Sequence, residues 1–220
     1  MCIRDSVPLV IKLDWVRSLT GIAIEGALVR VTDTDGKTLL SRQRPVLFTH
    51  RGISGPGAMD ASGVLGEAPS QRRLTIDWIP DVDGSEVERR LSPIRDDDRP
   101  ILHRLDDLLP RRLITALMTE AQIDPAQTPS QLRKNERNLL VKSLKACHIP
   151  VAGNEGFAKA EVTAGGVLLD EVSPRTMESR KVPGLYLAGE VLDLDALIGG
   201  FSFQLAFSTG QLAGESAASF

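Results

Sequence analysis

Towards the end of the chain the residues run Leu185-Tyr186-Leu187-Ala188, then Gly189-Glu190, a short loop, Gly199-Gly200, and a stretch from Phe201 to Ala218. That order has a chemical use. A helix N-terminus offers unpaired N–H groups and a partial positive charge. Two glycines at its entry let a ligand approach with no side chain in the way. A carboxylate at the end of the preceding strand accepts hydrogen bonds from sugar-like hydroxyls. The arrangement suits a nucleotide cofactor, although spacing alone is met more readily by a helix packed on a sheet and entered through a tight turn.

Other candidate chemistry is weaker. His50 and Ser54 are a hydrolase-like pair, but Gly52-Ile53-Ser54-Gly55-Pro56 is not Gly-x-Ser-x-Gly, and no orienting acid is identifiable. A glycine-rich turn at a domain junction explains that segment more simply. Gly36-Lys37-Thr38 resembles the end of a phosphate loop, yet Val31 occupies the place of its first glycine, which favours a hairpin. Gly55-Pro56-Gly57-Ala58-Met59-Asp60 fails the dinucleotide fingerprint at its last position, and no Gly-x-Gly-x-x-Gly occurs in the chain. Cys2 and Cys147 are too few for a structural zinc site or a disulfide framework, so no metal is expected. Cys147 reads as a packed thiol. His103 and His148 fall on helix-like segments.

The elements that must position these residues change along the chain. Gly21 to Val31, Thr38-Leu39-Leu40, Val46-Leu47-Phe48 and Arg73 to Ile79 read as antiparallel strands of a small sheet or barrel, with Asp33-Thr34-Asp35-Gly36 as a turn. Residues 81–99 are charged, contain Pro93, stop at Pro100 and read mostly as loop. Ile101, Leu102, Leu105, Leu108 and Leu109 recur at helical spacing. Pro110 opens a second helix carrying Leu113, Ile114, Leu117 and Met118, and Leu132, Leu139, Leu140 and Leu144 mark a third that ends before Pro150. The last third reads as α/β. Short strands are expected at Ala160–Thr163 and Val167–Leu169, a strand buried on both faces at Leu185–Ala188, and a helix from Phe201 to Ala218.

Composition excludes several classes. The 220 residues carry 26 Lys plus Arg against 29 Asp plus Glu, a net charge of −3, and only 4% aromatics. That balance leaves no footprint for nucleic acid or an anionic membrane, and few base-stacking platforms. No apolar run reaches the roughly 18 residues of a membrane span, and no signal peptide is visible. A reducing cytoplasm is the expected setting.

Three segments carry a resemblance. They are Ala160-Glu161-Val162-Thr163-Ala164-Gly165-Gly166-Val167, Gly184 to Asp193, and Gly199-Gly200-Phe201-Ser202-Phe203-Gln204-Leu205-Ala206-Phe207-Ser208-Thr209-Gly210. Together they closely resemble the C-terminal signature of the HI0933-like FAD-dependent oxidoreductases, also called aminoacetone-oxidase-like or NAD(P)/FAD-dependent oxidoreductases. Leu47-Phe48-Thr49-His50-Arg51-Gly52-Ile53-Ser54-Gly55-Pro56 resembles a second signature of that family, and Val7 to Gly21 the start of its inserted domain. The resemblance implies an α+β fragment: an inserted β-barrel-like domain with a helical segment, then the C-terminal strand–helix part of a glutathione-reductase-type FAD-binding α/β domain. The expected division is 1–6, a non-native leader without period or cap logic; 7–156, the insertion (barrel-like 7–80, loop and helices 81–150); and 157–220, the return to the FAD domain. The N-terminal half with its phosphate fingerprint would be missing and the fragment inactive alone.

The resemblance also implies roles. Gly189-Glu190 would meet the FAD ribityl or phosphate region. Gly199, Gly200 and Phe201 would bring backbone N–H groups to the flavin's pyrimidine edge, and Thr163, Gly165 and Gly166 would pass close to the ring. His50 and Ser54 would face substrate. Phe201-Ser202 stand where the family has Tyr-Asn, and Ala196 stands where it has Gly, so no side-chain amide is offered there. The implied partners are FAD, NAD(P)H as reductant and a small-molecule substrate, with no nucleic acid and no membrane; oligomeric state is left open. The alternative is a non-catalytic barrel-plus-helix module that binds RNA or protein.

Overall fold

The structure, a computed structural model, describes residues 6–66, 71–95, 97–194 and 196–219. Of the expected leader only Ser6 falls among them, and Cys2 lies outside. Strands β3 (Leu28–Thr32) and β4 (Thr38–Gln43) form the expected hairpin. Asp33 Oδ1 accepts the N–H groups of Asp35 (3.0 Å) and Lys37 (2.8 Å), and Gly36 takes φ +83°. The glycine there serves the turn.

Two antiparallel sheets share one core. The first has the order β2 (Ala23–Ile24), β5 (Val46–Thr49), β6 (Gly52–Ser54), β1 (Leu9–Val10), β9 (Gly153–Asn154). The second runs β4, β3, β7 (Arg73–Asp77), β8 (Cys147–Ile149). Alternation along β3 and β7 buries Val29, Val31, Leu74 and Ile76. Phe48 and Trp78 stack at 5.4 Å in the middle of that core, with Trp15 of α1 (Asp14–Ser18) at 6.4 Å from Phe48.

Helices α4 (Ile101–Leu105), α5 (Arg111–Glu120) and α6 (Lys134–Lys145) follow the leucine spacing, and Pro110 caps α5 as expected. Two helices depart from the sequence reading. Residues 81–99, expected mostly as loop, contain α3 (Gly84–Arg90), started by the Asp83 carboxylate accepting from Ser85 N–H at 2.7 Å. The expected glycine-rich turn after Ser54 is the entry to α2 (Pro56–Leu65), with Gly55 at φ +82° as N-cap and Pro56 in the first turn. Its glycine is a contact surface: a Cβ at Gly57 would lie 3.0 Å from Val29 Cγ2 and 3.2 Å from Pro45 O. His148, expected on a helix-like segment, sits on β8, where it pairs with Thr75 between buried Cys147 and Ile149.

After residue 156 the expected strands reduce to single bridges: Ser6–Val162, Val167–Leu192 (parallel), Val172–Ser179 and Glu178–Tyr186. A strand needs a ladder of partners, and each segment meets only one. Leu185, expected to be buried, is 43% exposed. A second, smaller cluster joins Val172, Met177, Leu192 and Ala213. Helix α7 spans Phe201–Ala218, the expected bounds.

Candidate functional site at the entry to the last helix

Gly200 is the N-cap of α7 and takes φ +91°, ψ −2°, the left-handed region, with no side chain capping the helix. A Cβ added there would meet nothing within 4 Å. The first turn of α7 thus has no capping side chain and clear space beside Gly200, a property that suits an anion or a carbonyl edge. Gly199 and Phe201 beside it are exposed as well.

A second strip lies alongside the approach to α7. Val167 N–H donates to Val191 O (2.8 Å), Asp193 N–H to Val167 O (2.9 Å), and Gly165 N–H to Asp193 Oδ1 (3.1 Å). Gly166 makes that contact sterically feasible, because a Cβ on it would fall 2.4 Å from Val191 O. Gly165 and Gly166 are thus brought against 191–193. Thr163, two residues before Gly165, is exposed.

Gly189 and Glu190 begin a 3-10 turn, Gly189–Val191, packed on α7. Gly189 N–H donates to Thr209 Oγ1 at 2.9 Å. Thr209 lies eight residues beyond Phe201, about 12 Å along the axis. The exposed Glu190 therefore flanks the third turn of α7, not its N-terminus as the linear order implies. An apolar cavity of about 190 Å³ opens nearby, lined by Leu169, Met177, Leu192, Leu194 and Thr209 among others. It is below the roughly 300 Å³ at which ligand pockets begin.

His50 and Ser54 are not brought together. His50 is exposed in the turn between β5 and β6, and Ser54 pairs with Leu47 at the opposite end of that hairpin. Two residues that sequence reasoning passed over do reach the site. Asp60 of α2 accepts Ile198 N–H at 3.3 Å, and Arg44, between β4 and β5, donates through Nη2 to Ile198 O. Arg44 Nε lies 3.4 Å from Asp60 Oδ2, and the Asp60 side chain is 1% exposed. Burial raises the Asp60 carboxyl above its ordinary pKa, while the Ile198 N–H and the guanidinium of Arg44 pull it back. The available signal was Gly55-x-Gly57-x-x-Asp60, a fingerprint that fails as phosphate chemistry.

The surroundings are apolar and open. Among the described residues of 157–207, ten large apolar side chains are 40% or more exposed, Phe203 (72%) and Phe207 (74%) among them. Among the described residues no group of three His, Cys, Asp or Glu could hold a metal ion, and no helix is long and apolar enough to cross a membrane.

Comparison with known proteins adds independent findings. A family model described as HI0933-like protein barrel and H2TH domain matches residues 6–162. A ribosomal RNA dihydrouridine synthase of Escherichia coli (strain K12) is 36% identical over 199 residues, 90% of this chain and 46% of that protein. A 3-dehydro-bile acid delta(4,6)-reductase of Clostridium scindens is 31% identical over 198 residues, 85% of this chain and 48% of that protein. A ribosomal RNA dihydrouridine synthase of Haemophilus influenzae is 34% identical over 200 residues, 89% and 46%. The chain spans about half the length of these relatives.

Proposed function

The chain belongs to the HI0933-like family, and from that premise we propose that it is the C-terminal portion of an FAD-dependent oxidoreductase that reduces a carbon–carbon double bond conjugated to a carbonyl. The carrying observation is the uncapped, unobstructed N-terminus of α7 behind Gly199-Gly200, in a chain with relatives named for reductive chemistry. Dihydrouridine is uridine with its 5,6 bond saturated, next to the C4 carbonyl. A 3-dehydro steroid with unsaturation at 4 and 6 has its double bonds conjugated to the C3 carbonyl. Both names describe the same electronic problem.

In this reading FAD, reduced by NAD(P)H, supplies the hydride when bound. The N–H groups at Gly199, Gly200 and Phe201 would hold the carbonyl-bearing edge of the flavin, where their partial positive charge would favour negative charge. Thr163, Gly165 and Gly166 would pass close to the ring, with Gly165 leaving its side of the chain clear. Gly189 fixes the turn that offers the Glu190 carboxylate to cofactor hydroxyls. Exposed Phe203 and Phe207 belong under a covering segment that excludes water. The chain has no Gly-x-Gly-x-x-Gly, so the pyrophosphate would be held by sequence outside it. Residues 7–156 act as the inserted domain and 157–220 as the cofactor-side part, a division supported by the separate hydrophobic clusters.

The substrate is proposed as a small molecule carrying an unsaturated carbonyl. A second reading, a uracil ring within RNA, is favoured by two relatives' names; RNA binding that weakens steeply with salt would select it. The test of the function itself is FAD titration of the whole protein and of Gly200→Val, followed by NAD(P)H oxidation with an enone steroid and with an RNA transcript. Wild type should bind FAD stoichiometrically, and the variant, whose side chain enters the approach path, should bind at least tenfold more weakly. Equal affinity in the two proteins would remove this helix end from the cofactor site.

A further inference from the structure

The partly exposed Arg44 and the buried Asp60 hold one residue of the last third through both of its backbone polar groups. Ile198 N–H donates to Asp60 Oδ1 and Ile198 O accepts from Arg44 Nη2. The two side chains face one another as an ion pair, Nε to Oδ2 at 3.4 Å, but their hydrogen bonds run to Ile198: Asp60 accepts from its N–H and Arg44 donates to its carbonyl. The held residue immediately precedes Gly199, whose Cβ position would be 3.7 Å from Arg44 Nη2. The left-handed Gly200 N-cap follows at once.

The geometry that delivers the pair is itself specified. Gly57 N–H donates to Pro45 O at 2.9 Å, so the start of α2 lies directly on the chain that follows Arg44. One helical turn later Asp60 faces the guanidinium. A pair needed only for packing is replaceable by apolar groups of similar shape, often without loss of stability. Side chains that hydrogen-bond the backbone of one specific loop do something an apolar pair cannot.

We propose that Arg44 and Asp60 are positioning residues that set the place of the Gly199-Gly200 turn, and with it the N-terminus of α7, relative to the first core. The inference rests on the reading that this turn faces the cofactor. It joins the segment Ser54–Asp60 to the cofactor side through a contact 138 residues apart in sequence.

The test replaces both partners at once. Asp60→Leu/Arg44→Met in the whole protein removes the clasp while keeping an apolar pair of similar volume, and Asp60→Asn removes only the charge. Asp77→Asn is the control, since it breaks a different buried pair, to Lys145 at 2.9 Å. Amide exchange of residues 197–203 is measured without flavin, and the FAD dissociation constant and flavin visible spectrum are measured by titration. The double variant should unfold at a denaturant midpoint close to wild type, exchange at 197–203 at least tenfold faster, and bind FAD at least fivefold more weakly with a shifted spectrum. Asp60→Asn should move the same readouts in the same direction, and Asp77→Asn should move neither. Unchanged exchange in the double variant, or faster exchange with unchanged FAD affinity and spectrum, would overturn the proposal. If the double variant does not fold, Asp60→Asn decides by the same criteria. A wild type that takes up no FAD would refute the functional reading instead, and exchange alone would then judge the clasp.

Discussion

Replacing Gly166 by alanine should unlock the strip that runs beside the α7 entry. The new Cβ would lie 2.4 Å from Val191 O, 2.8 Å from Leu192 C and 3.0 Å from Asp193 N. Carbon–oxygen contacts settle at about 3.3–3.6 Å, so the two segments must part by about 1 Å. All three obstacles are backbone atoms and cannot rotate aside. Three hydrogen bonds of 2.8, 2.9 and 3.1 Å span that gap, and a 1 Å separation takes each beyond bonding range. Two are backbone–backbone hydrogen bonds worth about 1 kcal/mol each, and the third, to the Asp193 carboxylate, about 1.5 kcal/mol at the low end for a charged acceptor. Water replaces part of this at a half-exposed site, leaving about 2–3 kcal/mol. Gly165→Ala is the comparison, because a Cβ there meets nothing within 4 Å and only φ +99° opposes it, a cost of about 1–2 kcal/mol. Amide exchange across 163–194 is the assay. Gly166→Ala should accelerate it by about 30- to 150-fold, since each 1.4 kcal/mol is tenfold, and Gly165→Ala clearly less, while protection of β3 and β7 stays at the wild-type level. Equal protection in Gly166→Ala and wild type would refute the argument from close approach.

Acid should weaken the fold through two carboxylates. Hydrogen bonds from Arg89 and then Arg90 hold Glu86 at a pKa of about 2, and Arg99 holds Asp97 at about 2. Their contribution is complete above the ordinary carboxylate range and is lost as pH falls from about 4.5 towards 2. The urea midpoint should drop across that window, and the drop should shrink in Glu86→Gln. Asp60 has the opposite sign: its raised pKa makes the folded state bind the extra proton, so Asp60→Asn should remove a small gain on acidification. Burial pushes the Cys147 thiol up to about 11, against a partial offset from the Trp78 indole. Stability should therefore fall as pH rises above about 9, where only the unfolded thiol ionises, and labelling of Cys147 at pH 8, read in a Cys2→Ser background, should be at least tenfold slower in the folded protein than in denaturant; equal rates would contradict its burial. Phe203→Ser/Phe207→Ser should reduce self-association and dye binding of this chain with little change in thermal midpoint, and unchanged association measured by light scattering would place the sticky surface elsewhere.

What the amino-acid order determined by itself is what neighbours in sequence decide. The Asp33–Gly36 turn is set by a carboxylate two and four residues from its donors. The limits of α7 follow from the glycine pair before it, and α5 from Pro110 at its cap. The glycines at the entry to α7 were legible for the same reason, since left-handed backbone has few other tenants. Tertiary contact decided the rest. Gly55 and Gly57 read locally as helix breakers, yet they open α2, because the missing side chains let it lie on Pro45 and Val46. Leu185–Ala188 has the composition of a buried strand but meets a single bridge partner, and strand character is a property of the ladder. Glu190 precedes the α7 entry in sequence but sits beside its third turn, because Gly189 N–H finds Thr209. Asp60 gained its role only when folding brought Ile198 to it, and nothing in a local window can report a hydrogen bond that closes a loop of 138 residues.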